Sequence, residues 1–403
     1  IELIKSFLGM FKSLKDNSRY FFRRHRKAVI VGAVAGVLAA GVLRAKRSLD
    51  DALLRLNDAQ RQMADRSLNQ SHLARVQREC DEALLRFVAS LSNSLDVTFV
   101  EIPSLISELK EARNRRTTTA QSASPSASAP TSDLELTLWN KLKIAVFTKL
   151  VVALYSFHLM HLCLRVQLHI LGRIGSTNLG DGSEASLSME DRGAFLSLTY
   201  NFILGDGLSA LAEEVTPVAT TILSEVSFAK RLDCTSTMAL VRRICERVEA
   251  SCGQTSAHPL ARFVVIPSHL RKNTSLVAQD MLDETWDCAE SPQFARALTA
   301  ALDRSLNLLG EQLEETLFST EIKPAALSTP LPPSFTKVDV QHAGPVCKPL
   351  PSLLVQLKPS KTVFLLSNSG GRSVHADAAA SLPEVGALCR AVFGSAPTDV
   401  SSE

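Results

Sequence analysis

An all-α chain, with one N-terminal membrane anchor followed by an elongated helical bundle with long central helices, is the fold class the sequence predicts. Three observations predict it. Apolar residues recur at about 3.6-residue spacing through most of the chain. A run of 16 residues without a charged or strongly polar side chain, Ala28 to Leu43, is closed by basic clusters on both sides. No internal repeat is found, so solenoid folds have no support. With 45% hydrophobic and 21% charged residues over 403 positions, the chain can bury a sizeable core. Its net charge of +3 does not describe a globally basic nucleic-acid binder.

The anchor comes first. Residues 1–50 hold 11 Lys/Arg against 3 Asp/Glu, whereas the remainder holds 33 against 38. The basic character therefore belongs to one end. Residues 1–27 form a basic extension with Ile4, Phe7, Leu8, Phe11 and Leu14 at helical spacing, a pattern that suits an anionic membrane surface and also a mitochondrial presequence. The 16-residue run would be about 24 Å long as a helix, short of a hydrocarbon core of about 30 Å. Arg23, Arg24, Arg26 and Lys27 before it, with Arg44, Lys46 and Arg47 after it, supply the missing reach by snorkelling. In all, eight Lys/Arg precede the run and three follow at once, so a positive-inside count taken alone would put the N-terminus in the cytosol.

Residues 44–403 are expected to form the helical domain. Its first pattern runs over 48–90, and a second segment covers Ile102 to Ala112. Residues 117–132 lack any large apolar side chain and are expected to be a flexible loop. Ser132 and Glu135 then have the spacing of a capping box. The helix they open is expected to run to Leu171, with Gly172 as its stop. Its central stretch from Leu150 to Leu164 is too short for a second span and holds His158 and His161, so a buried central helix is expected. Residues 174–192 read as a second flexible loop. Helical patterns follow over Phe195 to Leu211, Val218 to Val248, Leu276 to Cys288 and Phe294 to Leu317. Residues 324–360 are Pro-rich and expected to be irregular, Thr362 to Leu366 reads as a short strand, and Leu382 to Val392 as a last helix.

Catalytic and cofactor signatures are not apparent. Gly180-Asp181-Gly182 and Gly205-Asp206-Gly207 match no phosphate-loop spacing and read as turn and cap glycines. His158, His161 and His169 share one helix inside a Leu/Val run, which favours core histidines over metal ligands. The eight cysteines contain no C-x-x-C pair, which fits a reducing compartment. No enzyme, no cofactor and no metal site is therefore expected. What remains is a surface: Leu134, Leu138, Leu142 and Ala145 make a core face on the capped helix, while Trp139, with Lys143 beside it, points elsewhere. Trp139 is either a hot spot that receives a partner helix or a side chain packed beneath the loop.

These same residues carry a family likeness. The runs LWNKLKIAVFTKLVVALYS (Leu138 to Ser156), LRVQLHILG (Leu164 to Gly172), LGDGL (Leu204 to Leu208) and DETWDCAESPQF (Asp283 to Phe294) resemble, in order and spacing, the peroxin-3 family. The likeness runs from about Arg19 to Leu317, with a fainter echo over Leu382 to Pro397. It implies a receptor in the peroxisomal or glycosomal membrane, single-pass, whose helical domain faces the cytosol. That receptor would dock peroxin-19, the soluble chaperone that delivers membrane proteins, by holding its amphipathic N-terminal helix in an apolar groove. Carried onto this chain, the groove would hold Trp139, Leu142, Lys143 and Leu136, with Leu109 as its opposite wall and Lys143 as a solvated edge charge. Glu135 stands where the family pattern has a lysine. An organelle-membrane tether or adaptor, for instance mitochondrial and without an import role, is the alternative that the anchor and bundle serve equally well.

Overall fold

The computed structural model describes residues 74–121, 133–177, 187–251, 258–271, 274–318, 346–357 and 373–394, together with isolated helical positions 46, 55 and 71. The chain divides into two compact units, Ile1–His72 and Leu73–Glu403. The expected anchor at 28–43, the extension at 1–27 and the strand at 362–366 lie outside the described residues.

The described residues are almost entirely helical, so the all-α class holds. The helices are α1 (Ala74–Thr98), α2 (Glu101–Gln121), α3 (Asp133–Thr177), α4 (Met189–Phe202), α5 (Leu208–Ser224), α6 (Cys234–Ser251), α7 (Leu276–Glu290), α8 (Pro292–Leu313), α9 (Leu350–Gln356), α10 (Val374–Ala380) and α11 (Pro383–Gly394). Two short π-helical turns, Ile203–Gly207 and Glu314–Phe318, follow α4 and α8. The strands β1 (Arg231–Leu232) and β2 (Lys348–Pro349) form one antiparallel bridge.

Helix α3 is the axis of the domain, because a helix that is apolar on every side must be covered on every side. From Ala145 to Ile170 nearly every side chain is buried, and α2, α5, α7, α8 and α11 all pack against it. Its central region is long and apolar enough to cross a bilayer, with a mean hydropathy of 1.5, but 94% of that window is buried inside the protein. It is the buried core helix that its histidines led one to expect, although its apolar window is longer than the run 150–164 suggested. Its polar groups are tied to neighbours: Lys149, 2% exposed, gives its ammonium to Asp96 of α1 at 2.6 Å.

Several boundaries differ from the sequence expectation, each for a tertiary reason. Gly172 does not stop α3, which runs on to Thr177. Immediately after the glycine, Arg173 donates to the Val392 carbonyl of α11 at 3.0 Å and pairs with Glu284 of α7, bonds that need helical geometry there. They offset the roughly 1 kcal/mol that glycine costs a helix interior. Both expected loops are shorter than anticipated, since α2 covers 117–121, α3 covers 174–177, and Ser188 caps α4 by accepting from the Asp191 amide at 3.0 Å. The expected helix Val218 to Val248 is broken at 225–233. Val226 and Leu232 are buried there and keep the apolar rhythm, but Asp233 accepts from the Ser236 amide at 2.8 Å and opens α6 as a cap. In the Pro-rich segment, residues 350–356 form a helix that buries Leu350, Leu353 and Leu354, with proline tolerated in its first turn.

Gly205 and Gly207 are not turn glycines either; they sit in the π-helical turn joining α4 to α5. A Cβ on Gly207 would lie 2.6 Å from the Phe263 carbonyl oxygen, whereas one on Gly205 would meet nothing within 4 Å. Gly207→Ala should therefore destabilise the fold by about 1 to 3 kcal/mol through forced backbone displacement. Gly205→Ala should be neutral or stabilising by up to about 1 kcal/mol. Denaturant titration of the two variants checks this, and equal losses would show that the close approach at Gly207 is not limiting.

Candidate partner-docking surface

The start of α3 is where all five candidate residues converge or fail to converge. At about 100° per residue, Leu136 and Lys143 project within about 20° of one another and Trp139 about 60° away, while Leu138 and Leu142 turn toward another side. The structure divides the group accordingly. Leu142 is 1% exposed and Leu109 on α2 is 6% exposed, both within the core that α2 and α3 share. Leu136 is 40% exposed and Leu134 62%. Trp139 is half-buried: it packs against the core and its ring lies 5.2 Å from that of Phe228, tilted by 40°.

Lys143 differs most from expectation. It is not a solvated edge charge but 2% exposed, and its ammonium donates to the Val226 carbonyl at 2.9 Å, across 83 residues of sequence. Burial pushes its pKa down. The physical reason is the segment between α5 and α6, which crosses over this part of α3 and covers the lysine. Nothing local to residues 133–150 signals that cover.

The surface left accessible is thus Leu136 and Trp139 of α3, with Phe228 of the 225–233 segment. Sequence reasoning missed Phe228, because the apolar rhythm around it suggested an unbroken helix. The segment is fixed at both ends. Glu225 pairs with Arg243 at 3.1 Å, and Arg231 donates to the Cys347 carbonyl at 2.7 Å beside the β1–β2 bridge. Such an arrangement has no nucleophile–base pair and offers apolar area with an indole N–H, which suits recognition of a side-chain stripe on a helix.

Elsewhere, the histidines of α3 are buried within it. His158 Nε2 lies 2.6 Å from Ser305 Oγ, which also contacts His375 Nδ1 at 2.9 Å, and His161 Nε2 accepts from Arg165 Nε at 2.7 Å. Among the described residues, no group of three His, Cys, Asp or Glu could hold a metal ion. An open cleft of about 230 Å³ between α1 and α10 is lined by Leu84, Leu85, Val88 and Ala376.

Comparison with known proteins shows what these features resemble. The family model described as Peroxin-3 matches residues 100–175, which include α2, nearly all of α3 and all five candidate positions. Peroxisomal biogenesis factor 3 of Mus musculus and of Homo sapiens are each 26% identical over 323 residues, 75% of this chain and 79% of theirs. Peroxisome biogenesis protein 3-2 of Arabidopsis thaliana is 24% identical over 376 residues, covering 87% of this chain and 94% of its own. The chain is similar to the peroxin-3 family. The names of these relatives place them in peroxisome biogenesis. Peroxin-3 proteins are biogenesis factors and not a known enzyme family.

Proposed function

We propose that this protein is a membrane receptor that docks cargo-loaded peroxin-19 at the peroxisome and supports insertion of peroxisomal membrane proteins. The observation that carries the reading is the half-buried Trp139, displayed beside exposed Leu136 at the start of α3 within the segment matched by the Peroxin-3 model. A half-buried tryptophan set on a helix that is anchored in the core through Leu138 and Leu142 is what a helix-in-groove contact requires: a large apolar anchor that loses little freedom on binding. The expected arrangement of domains completes the proposal. Residues 28–43 span the membrane once, the helical domain faces the cytosol, and residues 1–27 lie beyond the span.

Two experiments test the proposal. The full-length protein in detergent micelles, titrated with a labelled peptide of the peroxin-19 N-terminal helix, should bind saturably and compete with unlabelled peptide. Absence of binding, with the fold intact by circular dichroism, would sink the docking role. For the anchor, Val34→Arg places a charge near the centre of the apolar run at a cost of roughly 2.5 to 3.5 kcal/mol on insertion scales. That variant, and a chain starting at Ser48, should move to the soluble fraction after carbonate extraction. Persistence of the shortened chain in the membrane would show that the helical domain itself is embedded.

A further inference from the structure

Resting on the docking reading above, the geometry extends the site beyond α3. We propose that residues 225–230 form the second wall of the docking surface, that Phe228 meets the incoming helix alongside Trp139, and that Lys143 is a positioning residue holding this wall in place, not a charge that meets the partner.

Phe228 and Trp139 form one continuous aromatic surface. Their rings lie 5.2 Å apart, both are half-buried, and both pack onto the same core, so a ligand covering the outer side of Trp139 meets Phe228 at its border. The backbone carrying Phe228 is neither helix nor paired strand, so its conformation depends on attachments. Three are present. Lys143 Nζ reaches the Val226 carbonyl two residues before the phenylalanine. Arg243 holds Glu225, and the β1–β2 bridge with Arg231 on the Cys347 carbonyl holds the far end.

Of the three, the lysine bond is the internal one. The Arg243–Glu225 pair has both side chains more than half exposed, and such pairs contribute little. Lys143 is enclosed, and a bond from a cation to a carbonyl inside the protein is stronger than a neutral one. Its aliphatic stem runs among core side chains while its head ends at the loop, which explains a lysine at this buried place without any acidic partner from another molecule. The wall's far end is paired with residues 348–349, so part of the Pro-rich segment is physically joined to the proposed docking surface.

The partner chemistry that follows is an amphipathic helix whose apolar stripe is wide enough to touch two aromatic rings and Leu136. The test uses the full-length protein in micelles, the labelled peroxin-19 helix peptide, and a Trp286→Phe background, in which Trp139 is the sole tryptophan. Phe228→Ala should weaken binding roughly tenfold and move Trp139 emission to longer wavelength in the free protein. Lys143→Met keeps the stem but removes the bond; it should speed amide exchange at 226–230 and weaken binding severalfold, with the salt dependence of docking unchanged.

Wild-type protein that fails to bind the peptide would remove the docking reading and this inference with it. Binding that is lost in Trp139→Ala but unaltered in Phe228→Ala would leave the docking reading standing and overturn the second wall. Unaltered exchange and affinity in Lys143→Met would overturn the positioning role, as would a flattened salt dependence, which would mean that the ammonium faces the partner after all.

Discussion

Trp139→Ala should cost peptide docking about 2 kcal/mol or more, roughly a thirtyfold loss of affinity. Its effect on stability should be smaller than the 3 to 5 kcal/mol typical of truncating a buried tryptophan, because the ring is only half-buried. It should not be zero, since the ring also packs on Phe228 and the core. Chemical denaturation and peptide titration of the same preparation separate the two quantities. A full-sized stability loss with unaltered affinity would make Trp139 a core residue and remove it from the surface.

The second large effect is acid lability. His158 is fully buried and its pKa is held down at about 3, first by burial and then by the neighbouring His375. His161 is held well below the ordinary value by burial, by Arg165 and by His158, and His258 at about 4 by burial alone. In the unfolded chain these rings take up protons as the pH falls through about 6.5, while in the folded protein they stay neutral. The unfolded state therefore binds more protons, and stability falls with falling pH. The loss starts near pH 6.5 and is complete only below the folded values. Each ring contributes about 1.4 kcal/mol per pH unit, so at pH 5 the three together cost on the order of 5 kcal/mol, a large part of a typical stability of about 5 to 15 kcal/mol. Denaturant midpoints at pH 7.5 and 5 measure this. Replacing His158 with Gln should flatten the dependence. Equal midpoints at both pH values would mean that the rings protonate inside the fold.

Much of the architecture was written in local chemistry. The position of α3 follows from its continuous apolar run, and its histidines could be placed in the core because Leu, Val and Phe surround them on every turn. What could not be read were the consequences of pairing distant segments. Gly172 has the local character of a helix stop, and only Arg173 reaching Glu284 and Val392 explains why the helix ignores it. Lys143 has the local character of a surface charge, and only Val226, 83 residues later, explains its burial. Phe228 was invisible for the complementary reason: Val226 and Leu232 continue a helical rhythm through a segment that is not helical. For the docking surface, the sequence pointed to Trp139 and its neighbours on α3. It could not show that Leu109 and Leu142 are enclosed, nor which element closes the other side.

The completeness with which α3 is enclosed has a consequence for synthesis. Its central stretch meets the length and apolarity of a membrane span, and what keeps it from behaving as one is cover supplied by α2, α5, α7, α8 and α11. Most of that cover follows α3 in the chain, and the last piece, α11, ends at Gly394. A nascent chain thus carries a bilayer-competent segment for more than 200 residues of translation before the final helix can dock. At about 5 to 20 residues per second that interval is on the order of 10 to 40 seconds. Cellular handling of the newly made protein has to distinguish this segment from the proposed anchor at 28–43, and a factor that binds exposed apolar helices during that interval would bias it toward folding over insertion.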